Sequence, residues 1–196
     1  MQKIILASQS PRRKELMNLA DFDFDIIPSN CEEIITEKEP CKVVEQLSKQ
    51  KALDVYNKIK NTEEYSNNIL VIGADTIVSI DGQILGKPKS REESYNMIKK
   101  LQGNSHEVYT GVTLVWKDNE LKVESFYEKT EVIFYPMTDE EITALVNTGD
   151  GDDKAGSYGI QGKCAKYIKG IIGDYNNVVG LPIARIYQEI NNFNIM

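Results

Sequence analysis

The stretch that decides the fold is Ile69-Leu70-Val71-Ile72-Gly73-Ala74-Asp75-Thr76-Ile77-Val78-Ser79-Ile80, followed by Asp81-Gly82. Its apolar, β-branched character predicts a central strand over 69–80. Asp81-Gly82 is a hairpin turn signal that returns the chain as a short partner, Gln83 to Leu85. Two residues break the pattern. Asp75 is an acid among Val71, Ile72, Ile77 and Val78, and a carboxylate there loses hydration unless it meets a cation or takes part in a reaction. A hydrogen-bonded structural aspartate is the plainer alternative. Gly73, two residues earlier, predicts a bulge or the close approach of a ligand.

Outward from this strand the sequence alternates strand and helix. On the N-terminal side, Lys3 to Ala7 is a buried-strand candidate, and Ser10-Pro11 marks the start of a helix ending near Leu19, with Ser10 as cap. Phe22, Phe24 and Ile26 alternate with Asp23 and Asp25, as in a strand with one wet face. Pro40 opens a long helix whose apolar stripe is Val43, Val44, Leu47, Leu53, Val55, Tyr56 and Ile59. Residues 61–68, rich in Asn and Glu, form a surface connection to the central strand.

On the C-terminal side, Ser90 and Glu93 form a capping box for a helix reaching about Leu101, with Gly103 as its stop. Val108 to Trp116 and Leu121 to Tyr135 read as two long strands joined through Asp118-Asn119 into an antiparallel pair. Thr138 and Glu141 form a second capping box, and Gly149 ends that helix. A strand through Tyr167 to Ile172 and a helix from about Pro182 to Ile190 complete the pattern. With no internal repeat, low-complexity tract or linker, residues 1–196 read as a single α/β domain.

Composition narrows the function classes. The 196 residues carry 23 basic and 30 acidic side chains, a formal net charge of −7. A broad negative surface argues against a partner that is a nucleic-acid polymer, while leaving room for a small basic pocket. With 41% hydrophobic and 27% charged residues, the composition is that of an ordinary globular protein. A chain of this size buries roughly 70% of its unfolded surface without needing disulfides. The longest apolar run is interrupted at Gly73, Asp75, Thr76 and Ser79, far short of the roughly 18 residues a membrane span needs. Ile4 to Ala7 is too short for the apolar core of a leader, and Arg12, Arg13 and Lys14 stand where a cleavage site would lie. Cys31, Cys41 and Cys164 lack metal-type spacing and read as free thiols in a reducing compartment, so the cytoplasm is the expected location.

Four further clusters place charge or glycine where local structure does not ask for it. In Ala7-Ser8-Gln9-Ser10-Pro11-Arg12-Arg13, helix-start amides and two guanidinium forks suit a phosphate. Cations there oppose the helix dipole, although a solvated basic patch is an equally weighted alternative. Gly86-Lys87-Pro88 fixes one lysine in a turn after the hairpin partner, a weak signal alone. Asp153-Lys154-Ala155-Gly156-Ser157-Tyr158-Gly159-Ile160-Gln161-Gly162 has three glycines that permit backbone approach to a ligand, and Gln161 can donate and accept toward a base edge. Asn176-Asn177-Val178-Val179-Gly180-Leu181-Pro182 reads as a polar turn feeding a helix start. Other signals carry little. His106 is the single histidine and has no local signature pairing it with Cys164. Asp150-Gly151-Asp152-Asp153 lacks the ligand spacing of an EF-hand, and neither a P-loop nor a dinucleotide fingerprint is present.

Taken in order, Ala7 to Arg13, Gly73 to Thr76, Gly86 to Pro88, Asp153 to Gly162 and Val178 to Pro182 resemble the motifs of the Maf family of nucleoside triphosphate pyrophosphatases, over nearly the whole chain. The resemblance implies a mixed twisted sheet flanked by helices, in two lobes around a central nucleotide-binding cleft, as in inosine triphosphatases. It implies hydrolysis of a nucleoside triphosphate to monophosphate and pyrophosphate with a divalent cation, Mg²⁺ or Mn²⁺. Asp75 is then the catalytic acid that orients or deprotonates water, Glu33 is an acidic position facing the same cleft, and the two are the implied metal carboxylates. Ser8, Arg12, Arg13, Lys51 and Lys87 are implied phosphate-binding groups. Arg12 after Pro11, Thr76 after Asp75, and Gly159-Ile160-Gln161-Gly162 look like the dTTP/UTP branch, so Arg12, Thr76 and Gln161 are the implied specificity residues. That branch implies dTTP, UTP and modified pyrimidine nucleotides as substrates. The alternatives are 7-methyl-GTP or broad specificity, or a non-catalytic nucleotide-binding regulator of cell division. Neither membrane nor nucleic-acid partners are expected, and a homodimer is a candidate assembly. Asp150-Gly151-Asp152 departs from the family's more usual Glu-Pro before the Asp-Lys-Ala-Gly run, which predicts a looser loop there.

Overall fold

In the computed structural model, residues 3–62, 65, 69–193 and 195 are described. Most of the expected 61–68 connection lies outside these residues. The central strand runs from Ile69 to Ile80 as expected (β3). It pairs in parallel with β1 (Lys3–Leu6), which pairs in parallel with the three-residue β2 (Phe24–Ile26). β3 also pairs antiparallel with β4 (Gln83–Leu85). The turn between them places Asp81 and Gly82 at φ 50° and 74°, the left-handed pair that an Asp-Gly hairpin supplies. β5 (Ser105–Lys117), β6 (Leu121–Phe134) and β7 (Ile168–Ile172) extend the sheet, giving the order β2-β1-β3-β5-β6-β7. Parallel and antiparallel neighbours therefore coexist, and the expected mixed sheet is present.

Contacts divide the chain into two units, one of Met1–Asp75, Thr110–Glu128 and Gly180–Met196, the other of Thr76–Tyr109 and Lys129–Val179. In the first unit, α1 (Pro11–Leu19), α2 (Pro40–Ile59) and α6 (Ile183–Asn192) accompany β1 and β2. Its core gathers Ile5, Val55, Tyr56, Val71 and Val115. α2 lies unusually close to the strands beneath it, and glycine is the reason. A Cβ at Gly73 would stand 2.4 Å from the Ser48 carbonyl oxygen, and one at Gly111 would stand 2.2 Å from that of Val44. Gly73 therefore makes room for the α2 backbone, and not for the bulge or the ligand that the sequence led us to expect.

The second unit holds α3 (Arg91–Leu101), α4 (Asp139–Val146) and the five-residue α5 (Tyr175–Val179) around a core that includes Ile98, Leu101, Val132, Phe134 and Ile142. The helix starts of the two units differ. Ser90 accepts the Glu93 amide, and Thr138 with Glu141 completes a reciprocal capping box. At α3 the box is half-made, because the Glu93 carboxylate takes the Lys89 amide instead. In the first unit α1 and α2 begin at Pro11 and Pro40, and neither has a side-chain cap. Ser10 occupies the cap position of α1 without capping it, and its amide donates to Ser8 Oγ instead.

Two more expectations are revised. The strand around Phe24 is shorter than its alternation suggested and ends with Ile26 exposed, as a sheet-edge position permits. The polar turn expected at 176–177 is a short helix with Asn177 fully buried, its amide donating to the Val108 carbonyl and Thr130 Oγ1. Among the described residues no helix is long and apolar enough to cross a membrane.

Candidate active site

Asp75 is the last residue of the first unit's portion of β3. α2, seated on Gly73 and Gly111, brings Lys51 to it: Lys51 Nζ lies 2.5 Å from Asp75 Oδ1 and 2.8 Å from Glu33 Oε1. The lysine and aspartate side chains are 17% and 13% exposed, whereas Glu33 is 49% exposed. One mostly buried ammonium thus bridges two carboxylates that lie 42 positions apart, and neither it nor the similarly buried Asp75 is left as an uncompensated charge.

Arg13 fixes the neighbouring backbone. Its Nε donates to the Gly180 carbonyl at 2.8 Å, and its Nη1 donates to the Ala74 carbonyl at 2.9 Å and to Ser8 Oγ at 3.1 Å. Burial lowers the pKa of this guanidinium, and the charge of Asp75 opposes that shift. The arginine therefore ties the α1 start to the peptide that carries Asp75. The implied phosphate role of Arg13 is accompanied by this clamping role, which the sequence did not suggest. Ser8 is buried, and Arg12 is half-buried in the first turn of α1.

Glu33 belongs to a segment, residues 27–39, with no regular secondary structure. Side chains from α2 hold it. Gln46 accepts the Thr36 amide, Gln50 accepts the Ile34 amide and donates to the Ile34 carbonyl, and Asp54 accepts from Ser29 Oγ and the Asn30 amide. These helix residues lay outside the residues singled out from the sequence. Their spacing of four was the available signal, since i and i+4 share one helix face.

The remaining candidates lie in the second unit. Thr76 is half-buried on β3, directly after Asp75; Lys87 and Gln161 are exposed. The Gly86 carbonyl accepts the Gly156 amide at 3.0 Å, so the lysine turn and the glycine-rich loop are joined by backbone. The glycines of that loop meet the protein itself: a Cβ at Gly156 would press on Val78, one at Gly159 on Lys154, and one at Gly162 on Asp150. The loop is also tied down where a looser one was expected. Asp150 accepts the Lys163 amide, Asp152 pairs with Arg91 at 2.7 Å, and Asp153 pairs with Lys154 at 2.8 Å.

The donor set bears on a metal. Among the described residues no cluster of three or more His, Cys, Asp or Glu could hold an ion. Two carboxylates converging on one cationic centre nevertheless suit Mg²⁺, which commonly takes one or two carboxylates and completes its shell with water and substrate phosphates. Cys31, Cys41 and Cys164 are free thiols. His106 is buried, with Nε2 2.7 Å from the Tyr158 hydroxyl, a core contact rather than a partner for Cys164.

The architecture falls in a class already represented among solved structures. A HAM1 protein from Coxiella burnetii aligns with 98% of this chain and 100% of its own, at a TM-score of 0.53 and 14% identity. The Ham1 protein of Staphylococcus aureus aligns with 96% of this chain and 100% of its own, at a TM-score of 0.51 and 14% identity. At that identity the likeness is one of fold. Sequence then narrows the class: the model of the family described as Maf-like protein matches residues 3–193, and the chain belongs to that family. A relative in Agathobacter rectalis is 51% identical, covering 100% of this chain and 99% of its own, and is named dTTP/UTP pyrophosphatase. A Bacillus cereus relative of the same name is 49% identical, covering 100% of this chain and 97% of its own.

Proposed function

We propose that this protein is a nucleoside triphosphate pyrophosphatase that hydrolyses dTTP and UTP to the monophosphate and pyrophosphate. The observation that carries the reading is the convergence of Asp75, Lys51 and Glu33 beside an α1 start with Arg12, Arg13 and Ser8. The full-length relatives bearing that name support the choice of substrate. In the proposed reaction a water oxygen attacks the α-phosphorus, the bond from that phosphorus to the α–β bridging oxygen breaks, and pyrophosphate leaves. The Asp75 carboxylate orients the water and accepts its proton. Phosphoryl transfer asks chiefly for positioning and charge neutralisation, which Lys51, Arg12 and the α1 amides supply. A divalent cation, held by Asp75 and Glu33, would neutralise charge on the phosphates. Lys51 Nζ, already in contact with both acids, would keep them oriented.

Thr76, Lys87 and Gln161 keep the roles the resemblance implies, Lys87 toward phosphate and the other two toward the base. Uracil and thymine present a carbonyl–imide–carbonyl edge. Gln161 matches it by donating to a carbonyl and accepting from the imide N–H; cytosine reverses part of that pattern and leaves a group unpaired. We expect dTTP and UTP to exceed CTP by about tenfold or more in kcat/KM, from roughly 1–3 kcal/mol for the group left unpaired once bound substrate buries it, and purines to be disfavoured by size. Pyrophosphate release over the eight canonical triphosphates and 7-methyl-GTP, with Mg²⁺ or Mn²⁺, tests the proposal. Equal rates for CTP and UTP would reject the hydrogen-bond argument. A preference for 7-methyl-GTP would reject the pyrimidine reading, and no turnover of any nucleotide would leave a binding protein. The proposal extends to a single cytoplasmic domain that acts on free nucleotides.

A further inference from the structure

One face of α2 carries Gln46, Gln50 and Asp54, and each holds the irregular segment 29–37 at a different level. Asp54 Oδ2 accepts from Ser29 Oγ at 2.7 Å and the Asn30 amide at 3.2 Å. Gln50 Oε1 accepts the Ile34 amide at 3.0 Å while its Nε2 donates to the Ile34 carbonyl at 2.6 Å. Gln46 Oε1 accepts the Thr36 amide at 3.0 Å, and its Nε2 donates to Thr36 Oγ1 at 2.7 Å. Successive rungs are four residues apart on the helix, and the segment runs antiparallel to it. A lone water-exposed hydrogen bond contributes little, but Gln50 closes a two-bond ring on one residue's backbone, as a neighbouring strand would. That residue directly follows Glu33, and Gln50 directly precedes Lys51, the partner of Glu33.

We propose that Gln50 is a positioning residue, fixing the Ile34 backbone so that the half-exposed Glu33 carboxylate stays on Lys51 and Asp75, where the divalent cation of the proposed reaction is held. The inference rests on the assignment of Glu33, Lys51 and Asp75 to the active site. Without the Gln50 ring, the α2 side chains hold the segment at Ser29–Asn30 and Thr36, Glu33 gains freedom between those anchors, and the cost of ordering it falls on cation binding. The rung acts on the metal requirement, with the phosphate cradle left in place.

The test uses the full-length protein and the substitution Gln50→Met, which keeps side-chain length and helix propensity while removing both hydrogen bonds. The Mg²⁺ concentration for half-maximal turnover should rise about tenfold, as losses of groups supporting a metal ligand do. Hydrogen exchange of the Ile34 amide, read without substrate or metal, should accelerate in the same variant. Gln50→Glu, which retains the acceptor but loses the donor, should fall between Met and wild type in both readouts. Glu33→Gln and the double variant should show the same Mg²⁺ requirement, because Gln50 acts only through Glu33. An unchanged Mg²⁺ requirement in Gln50→Met, or multiplying effects in the double variant, would overturn the positioning role. A Glu33→Gln variant indistinguishable from wild type would overturn the site assignment beneath it.

Discussion

The two units handle buried polarity in opposite ways. In the first, charges are kept and matched: Lys51 bridges Asp75 and Glu33, and Arg13 is held by the Ser8 hydroxyl and by the backbone carbonyls of Ala74 and Gly180. In the second, polar groups sit in an apolar core and burial decides their protonation. His106 packs edge-on against Phe134 and Tyr158, with ring centroids 5.0 and 5.3 Å away. Burial lowers its pKa to about 4 and raises that of Cys164 to about 12. Its Nε2 reaches the Tyr158 hydroxyl, while Nδ1 is buried with no hydrogen-bond partner among the described residues. A neutral ring with the proton on Nε2 satisfies that arrangement, whereas a second proton on Nδ1 would lack an acceptor. Charge is therefore held ready in the first unit and excluded from this core of the second. Helix starts follow the same division: the second unit caps α3 and α4 with Ser90 and Thr138, and the first leaves α1 and α2 without a side-chain cap.

The largest expected effect tests the first half of this contrast. Asp75→Asn keeps shape but removes the charge on which Lys51 is centred. Turnover measured by pyrophosphate release should fall about 10²- to 10⁴-fold, the range for loss of a general base. Near-normal turnover in the folded variant would mean that the ion pair is structural.

The second expectation concerns His106. Its folded pKa, about 4, lies below the ordinary histidine value of 6.5, so between those values the unfolded chain binds the extra proton. The associated stability is fully present above pH 6.5 and declines as pH falls toward 4. The full loss is about 3 kcal/mol from the size of the shift. Urea midpoints at pH 7 and pH 5 should show the decline, and His106→Phe should flatten it. An equally steep slope in that variant would assign the acid sensitivity to other groups.

Gly73→Ala addresses how the charged site is held in place. Its methyl would collide with the Ser48 carbonyl and with Ala52, pushing α2 and Lys51 off β3. We expect about 1–3 kcal/mol of destabilisation, typical of overpacking, by urea unfolding. Turnover should fall further than the stability loss explains. Wild-type kinetics would show that the close seating of α2 is dispensable for the site.

The smallest effect lies at a cap. Thr138→Ala removes the acceptor for the Glu141 amide and should cost about 1 kcal/mol, seen as a lower urea midpoint with unchanged KM. A change in kinetics instead would show that α4 is coupled to the chemistry.

Much of this architecture was legible in local sequence because its causes are local. The boundaries of β3, the Asp81-Gly82 hairpin, the proline starts of α1 and α2, and the Thr138–Glu141 box follow from backbone preference and near-neighbour hydrogen bonds. Asp75 stood out because an acid in an apolar strand has a desolvation cost visible in one dimension. The polar asparagines make Tyr175–Val179 look like a turn in sequence, yet it is a short helix, and the Asn177 amide is satisfied by Val108 and Thr130, far away in the chain. Gly73 predicts a bulge or a ligand's approach from the strand pattern, and that pattern holds no information about the helix backbone that packs there instead.

Sequence alone thus settled most of the elements, the family and the residue types that phosphate chemistry needs. Which of those residues meet was decided only in three dimensions. Lys51 finds Asp75 because Gly73 and Gly111 let α2 settle onto the sheet. Glu33 reaches the same ammonium because Gln46, Gln50 and Asp54 hold an otherwise irregular segment against that helix. Arg13 clamps Ala74 and Gly180 across 61 and 167 positions of sequence. Such contacts depend on side chains distant in sequence, and the polar residues that make them resemble any solvated helix face until the chain has folded.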